Sequence, residues 1–212
     1  MSPDVPKVLL WDYSGVLNEE LSHDVAELHP EFGLSRDSWR LLLDKFLRED
    51  DAWSKVERGE VSLDWFAETL SARALDAGGS RNPEVARYLW WGGKAPEGRV
   101  MRNALLDVVA ELVGRFTLGV ATNNVLELRA HWINTLPTGL FTRIFDSSEL
   151  GHRKPEVGFW VKVEQLLGVD SAEIMLVDDR SENVSAAVAR GWQALLYTTE
   201  SGCIRAMEGL IQ

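Results

Sequence analysis

An α/β fold built on a parallel sheet is what this sequence predicts, and two observations predict it. Short apolar runs recur, each ending in a polar residue: Val8 to Trp11 before Asp12, Phe116 to Ala121 before Thr122, Ile144-Phe145 before Asp146, and Ile174 to Val177 before Asp178; a further run spans Ala194 to Tyr197. Separating the later runs are segments with apolar residues at helical spacing, in Ala104 to Leu112, Leu126 to Ile133, Phe159 to Leu167 and Val184 to Val188. Strand and helix in alternation imply right-handed crossovers and a sheet covered on both faces. Ligands of open sheets of this kind sit at the carboxyl ends of the strands. Asp12, Thr122 and Asp178 fall there, and Lys154 follows the Ile144-Phe145 run by a short loop.

The stretch from Leu17 to Pro96 reads differently. Trp39, Leu42, Leu43, Phe46 and Leu47 make one apolar helical stripe, with Ser35 placed to cap it. A second helix breaks at Gly59, and Ser62 is placed to cap a third that carries Leu63, Phe66, Ala67 and Leu70. Gly78-Gly79-Ser80-Arg81-Asn82-Pro83 reads as a loop and Gly92-Gly93-Lys94-Ala95-Pro96 as the return linker. The expected organisation is therefore an α/β core from residues 1–16 and 97–212, with 17–96 as a helical insertion. No internal repeat or low-complexity tract interrupts either part.

Composition narrows the partners. A chain of 212 residues with 45% hydrophobic content can bury one core, or a core plus a small second unit. A net charge of -11 argues against nucleic acid and anionic membrane, and an anionic substrate would need a local positive group. Cys203 is the only cysteine, so no disulfide framework exists within the chain, and a reduced, cytoplasmic setting is expected. Met1 to Pro6 lacks the basic and apolar regions of a signal peptide, and no apolar run reaches the ~20 residues of a membrane helix. Of nine tryptophans, Trp53, Trp65, Trp90 and Trp91 fall in the insertion along with Trp39 of its apolar stripe. Their bulk suits core packing or the wall of a pocket for a small molecule with an apolar or aromatic part, and both readings stay open. The expected assembly is a monomer or a homodimer.

The polar residues at the strand ends carry the chemistry. Asp12, before Gly15, can attack phosphorus or carbon to form a covalent intermediate. Thr122 and Asn123 offer a hydroxyl, an amide and a helix start to an oxyanion or phosphate, or else cap that helix. Adjacent Asp178 and Asp179 repel each other unless a cation is bound, and Mg²⁺ is the expected one. Taken in order, Leu9-Leu10-Trp11-Asp12-Tyr13-Ser14-Gly15-Val16-Leu17, Gly119-Val120-Ala121-Thr122-Asn123-Asn124, Gly151-His152-Arg153-Lys154-Pro155 and Met175-Leu176-Val177-Asp178-Asp179-Arg180-Ser181-Glu182-Asn183 resemble the four-motif signature of the haloacid dehalogenase superfamily.

The resemblance runs from Lys7 to Thr199 and implies a Rossmann-like core with a helical cap inserted after the first motif. It makes Asp12 the nucleophile and Lys154 the group that neutralises both it and a bound phosphate. It also implies that Mg²⁺ is held by Asp12, the carbonyl of Ser14 and Asp179, with Asp178 and Asn183 close behind. One substitution departs from the pattern: phosphatases of the superfamily have Asp-x-Asp where this chain has Asp12-x-Ser14. The second aspartate protonates the leaving oxygen and activates water, help typically worth about 10² to 10⁴ in rate. A serine hydroxyl cannot replace it.

Four readings follow. The chain is a Mg²⁺-dependent hydrolase whose substrate, small and phosphorylated or otherwise activated, has a leaving group needing little protonation. It performs other superfamily chemistry, since dehalogenases use Asp-x-Tyr and phosphonatases Asp-x-Ala; against these, Asn18-Glu19-Glu20 supplies no dehalogenase-type arginine, and Lys45 and Lys55 are only nominal Schiff-base candidates. It carries out a non-hydrolytic biosynthetic step on a bulky apolar substrate. Or it binds without catalysis. Retention of Asp12, Thr122, Lys154 and Asp179 together favours activity.

Overall fold

The structure is a computed structural model, which describes residues 5–19, 23–95 and 100–211. Five strands, β1 (Val8–Trp11), β2 (Thr117–Thr122), β3 (Arg143–Asp146), β4 (Ile174–Asp178) and β5 (Gln193–Leu196), form one sheet in the order β3-β2-β1-β4-β5. Every pairing is parallel, as the alternating pattern predicts. Central β1 is buried along its whole length, so it reads as an unbroken apolar run rather than an alternating one. Its side chains still alternate between faces: Leu9 and Trp11 join one hydrophobic cluster, Val8 and Leu10 the other. In register, Trp11 lies opposite Val120 on one side and Val177 on the other. That alignment brings Asp12, Thr122 and Asp178 out at the same edge of three adjacent strands.

Contacts divide the chain into two units, Met1–Glu20 with Val100–Asn124 and Leu128–Gln212, and Leu21–Arg99 with Val125–Glu127. Leu17, Asn18 and Glu19 thus belong with the sheet and not, as the sequence suggested, with the insertion. Leu17 is fully buried in a sheet-side cluster, and Asn18 pairs with Met101. The expected boundary at 96–97 lies outside the described residues.

In the helical unit, α1 (Arg36–Asp44), α2 (Ala52–Glu57), α3 (Leu63–Asp76) and α4 (Pro83–Arg87) follow one another. Ser35 and Ser62 cap α1 and α3 as expected, accepting from the N–H groups of Ser38 and Trp65. The apolar stripe packs as read, with Trp39, Leu43 and Phe46 buried, although the helix loosens to a π turn at Lys45–Glu49. Three elements went unread: a 3₁₀ stretch at Val25–Phe32 that contains Pro30, α4, which starts on Pro83 with Asn82 as its cap, and a 3₁₀ turn at Leu89–Trp91. Aromatic rings dominate this unit's packing. Phe32 stacks on Trp39 at 4.5 Å between centroids and Trp53 on Trp90 at 4.3 Å, with Phe66 edge-on to Trp53.

The sheet is covered by α5 (Asn103–Glu111), α6 (Arg129–Ile133), α7 (Ser147–Leu150), α8 (Val157–Leu167), α9 (Ser181–Ala189) and α10 (Glu200–Ile211). On one face α5 and α10 contribute Leu105, Val109, Cys203 and Met207; on the other α8 and α9 contribute Phe159, Trp160, Val163 and Ala187. Each such side chain stabilises by about 1.5–3 kcal/mol relative to exposure. The helix read across Leu126 to Ile133 is broken, with a 3₁₀ turn over Leu126–Leu128 before α6. Among the described residues no helix is long and apolar enough to cross a membrane.

Candidate active site

The Asp12 N–H donates to the Val177 carbonyl at 2.8 Å, carrying the ladder one residue past β1. The chain then turns sharply. Leu17 and Asn18 both donate backbone N–H groups to the Tyr13 carbonyl, at 3.0 and 3.2 Å, and Gly15 adopts φ +84°, a conformation that side chains disfavour. Space reinforces the requirement, because a Cβ on Gly15 would collide with the Asp179 carboxylate. The turn points the Tyr13 N–H back at Asp12 Oδ1, 2.7 Å away.

Lys154 is 1% exposed, and its ammonium sits among three oxygens: the Ala121 carbonyl at 2.7 Å, Asp178 Oδ2 at 2.6 Å and Asp12 Oδ1 at 3.2 Å. Burial works against its charge, but Asp12 and Asp178 outweigh burial and hold its pKa above the ordinary lysine value. Asp12 is pushed up to about 7, by burial first; Asp178 and Asp179 add to the rise, while Lys154 and the Tyr13 N–H oppose it. Asp178 is the most tightly tied. Besides Lys154 it accepts from the Arg180 N–H at 2.9 Å and from Asn183 Nδ2 at 3.0 and 3.1 Å.

Asp12, Asp178 and the half-buried Asp179 each present an oxygen within 4.8 Å of the others, a group that could hold a metal ion. Lys154 neutralises one of the three carboxylates, and a divalent ion would offset the charge of the other two. Hard oxygen ligands of this kind suit Mg²⁺ or Ca²⁺. Ser14 lies on the turn beside them, half-buried and paired through its backbone with Asn18.

Thr122 ends β2 and Asn123 follows it, beside this cluster. Thr122 is fully buried, and its hydroxyl has only a long 3.4 Å contact to the Asn123 carbonyl. Both ends of the Asn123 amide are committed to the Lys154 backbone, donating to its carbonyl and accepting from its N–H at 2.8 Å each. Asn123 therefore splints the lysine loop, with one N–H and the oxygen of its amide spanning the Lys154 backbone. His152 and Arg153 take no place in this cluster. Sequence reading missed this splint, the Tyr13 N–H and the Ala121 carbonyl, because backbone groups and partners distant in sequence leave no local pattern.

Comparisons with known proteins identify the family and the fold. A family model for haloacid dehalogenase-like hydrolases matches residues 6–191. A sesquiterpene phosphatase of Aspergillus oryzae, astK, is 28% identical over 150 residues, which cover 70% of this chain and 73% of that protein. A HAD-family enzyme of Bacteroides thetaiotaomicron, solved with magnesium and inorganic phosphate, shares the fold with a TM-score of 0.65 at 19% identity, over 91% of this chain and 94% of that one. L-2-haloacid dehalogenase from Xanthobacter autotrophicus, with chloropropionic acid covalently bound, gives a TM-score of 0.58 at 18% identity, over 98% and 85% of the two chains. With a parallel sheet that gathers Asp12, Lys154, Asp178 and Asp179 at one edge and a family model spanning nearly its whole length, this chain is an enzyme of the haloacid dehalogenase-like hydrolase family.

Proposed function

We propose that the protein is a Mg²⁺-dependent phosphohydrolase that uses Asp12 as nucleophile on a small phosphate ester with an apolar, terpenoid-like body. The observation that carries this reading is the buried ammonium of Lys154 between Asp12 and Asp178, beside Asp179. Likeness to a sesquiterpene phosphatase supports the substrate class, and the magnesium and phosphate held by a protein of the same fold support the ion and the group transferred. Asp12, Asp179 and the Ser14 carbonyl would hold Mg²⁺, which lowers the cost of negative charge on the transferring phosphoryl group. Asp178, whose oxygens are taken by Lys154, Arg180 and Asn183, keeps the lysine and the metal-binding loop in place.

One Asp12 oxygen attacks phosphorus, the ester oxygen leaves, and water then hydrolyses the aspartyl phosphate. Lys154 neutralises charge at the nucleophile throughout. Ser14 supplies no proton, so the preferred substrate has a leaving group stable as an anion. The helical unit, inserted after β1 and packed through aromatic rings, is our candidate for the part that selects the apolar body.

Phosphate release from aryl and alkyl phosphates, measured with Mg²⁺, tests the proposal. Aryl esters should turn over much faster, Asp12→Asn should eliminate turnover while leaving the fold intact, and Ser14→Asp should raise the alkyl rate by about 10². An Asp12→Asn protein that kept most of the rate would exclude nucleophilic catalysis. A folded, Mg²⁺-binding Ser14→Asp protein inert on a broad phosphate panel would remove the phosphohydrolase reading.

A further inference from the structure

Beside the nucleophile loop lie two polar side chains that the chemistry above does not use. Asn18 is 0% exposed, yet neither its amide nitrogen nor its amide oxygen has a hydrogen-bond partner. Arg102 Nε is buried and equally without a partner, and Arg102 forms no ion pair among the described residues. Buried donors left unpaired are costly, and each needs an explanation, such as a bound molecule that completes it.

Backbone pairing joins the two chain segments that carry them, next to the nucleophile turn. Asn18 pairs with Ser14 on one side and with Met101 on the other, and the Arg102 N–H donates to the Leu17 carbonyl at 3.0 Å. The Arg102 guanidinium lies 5.5 Å from the centre of the Tyr197 ring, and the Tyr197 N–H donates to the Asp178 carbonyl at 2.8 Å. The Tyr197 hydroxyl is raised in pKa by burial first; Arg102 opposes this, and Glu200, Cys203 and Asp179 add to it, so it senses both Arg102 and Asp179. Among the described residues Glu200 Oε1 is also without a hydrogen bond.

We propose that Asn18 and Arg102 form a second anion subsite beside Asp12, built to hold the inner phosphate of a diphosphate ester while the outer phosphate is attacked. The proposal rests on the phosphohydrolase reading and narrows its substrate. A bond forms between Asp12 Oδ and the outer phosphorus, the bond from that phosphorus to the bridging oxygen breaks, and the electron pair leaves on the bridging oxygen as a phosphate monoester. Water then splits the aspartyl phosphate to inorganic phosphate and restores Asp12. A departing phosphate is a far weaker base than an alkoxide, so this leaving group needs no acid at position 14. Guanidinium is the side chain whose fork fits a phosphate in two places, and the Asn18 amide adds a neutral donor.

Farnesyl diphosphate and farnesyl monophosphate, each with excess Mg²⁺, are the probes. The wild type should favour the diphosphate in kcat/KM, and Arg102→Gln should lower that diphosphate-to-monophosphate ratio by about 30-fold, the scale of a charged hydrogen-bonded contact. Asn18→Leu should lower it by about tenfold; should that variant not fold, Arg102→Gln alone decides. Calorimetry of inorganic pyrophosphate against inorganic phosphate gives a readout independent of turnover, in which Arg102→Gln should weaken pyrophosphate selectively. Equal losses on both esters together with unchanged pyrophosphate binding would overturn the subsite and leave the phosphohydrolase standing. A wild type inert on both esters would sink the phosphohydrolase, and the calorimetry would still judge the subsite.

Discussion

The ion pair at the sheet unit's candidate site and those of the helical unit sit at different depths. In the sheet unit Lys154 and Asp178 pair with side chains 0% exposed, enclosed by backbone and by Asp12. In the helical unit Arg48 with Asp44 stands at 83% and 57% exposure and Arg81 with Glu68 at 52% and 53%, and even Arg58, itself 14% exposed, pairs with an Asp51 that is 46% exposed. A buried pair loses the hydration of both charges and recovers it only through fixed geometry, whereas exposed pairs remain screened and contribute little. The difference shows where each unit gets its order. Charge positions the residues of the sheet unit's edge, while ring packing around Trp53, Phe66 and Trp90 organises the helical one.

Four substitutions sharpen or break that contrast. Lys154→Met should have the largest effect, destabilising by about 3–5 kcal/mol in denaturant unfolding, because Asp12 and Asp178 are left as uncompensated neighbours. Trp53→Ala, which removes a half-buried ring from the centre of the aromatic packing, should cost about 2 kcal/mol. Its Mg²⁺-induced rise in melting temperature should persist, since the carboxylates belong to the other unit. Gly15→Ala should cost about 1–2 kcal/mol in backbone strain. Its sharper signature is loss of the Mg²⁺-induced thermal shift, as the new Cβ displaces Asp179, and Asp179→Ala should lose the same shift. Arg81→Ala should change stability by less than about 0.5 kcal/mol; a larger loss would mean that surface pairs also organise the helical unit.

The sheet was legible because burial on both faces turns each strand into a continuous apolar run, and the polar residue that ends the run marks the functional edge. Strand ends moved by a residue where pairing extended them, as Thr122 does opposite Asp146. Asp12, Lys154, Asp178 and Asp179 were readable from their positions after those runs. Asn123 was readable as a site residue but not in its task, because its partner is the backbone of Lys154, on a different loop. Asn18 and Arg102 gave no signal, since their proximity depends on the chain returning from the insertion to pair Met101 with Asn18. Local exceptions such as Val25–Phe32 escaped because that segment, which contains Pro30, has no regular apolar period.

That returning pair has a consequence for how the gene can be edited. Antiparallel pairing of Asn18 with Met101, continued by the Glu19 N–H on the Val100 carbonyl at 3.0 Å, brings the two chain ends that border the insertion to the separation spanned by a tight hairpin. The helical segment therefore behaves as a cassette. Removing it and closing the gap with a short Asn-Gly turn should leave the ladder register untouched, with Val125–Glu127, which group with the helical unit, remaining on the far side of the sequence.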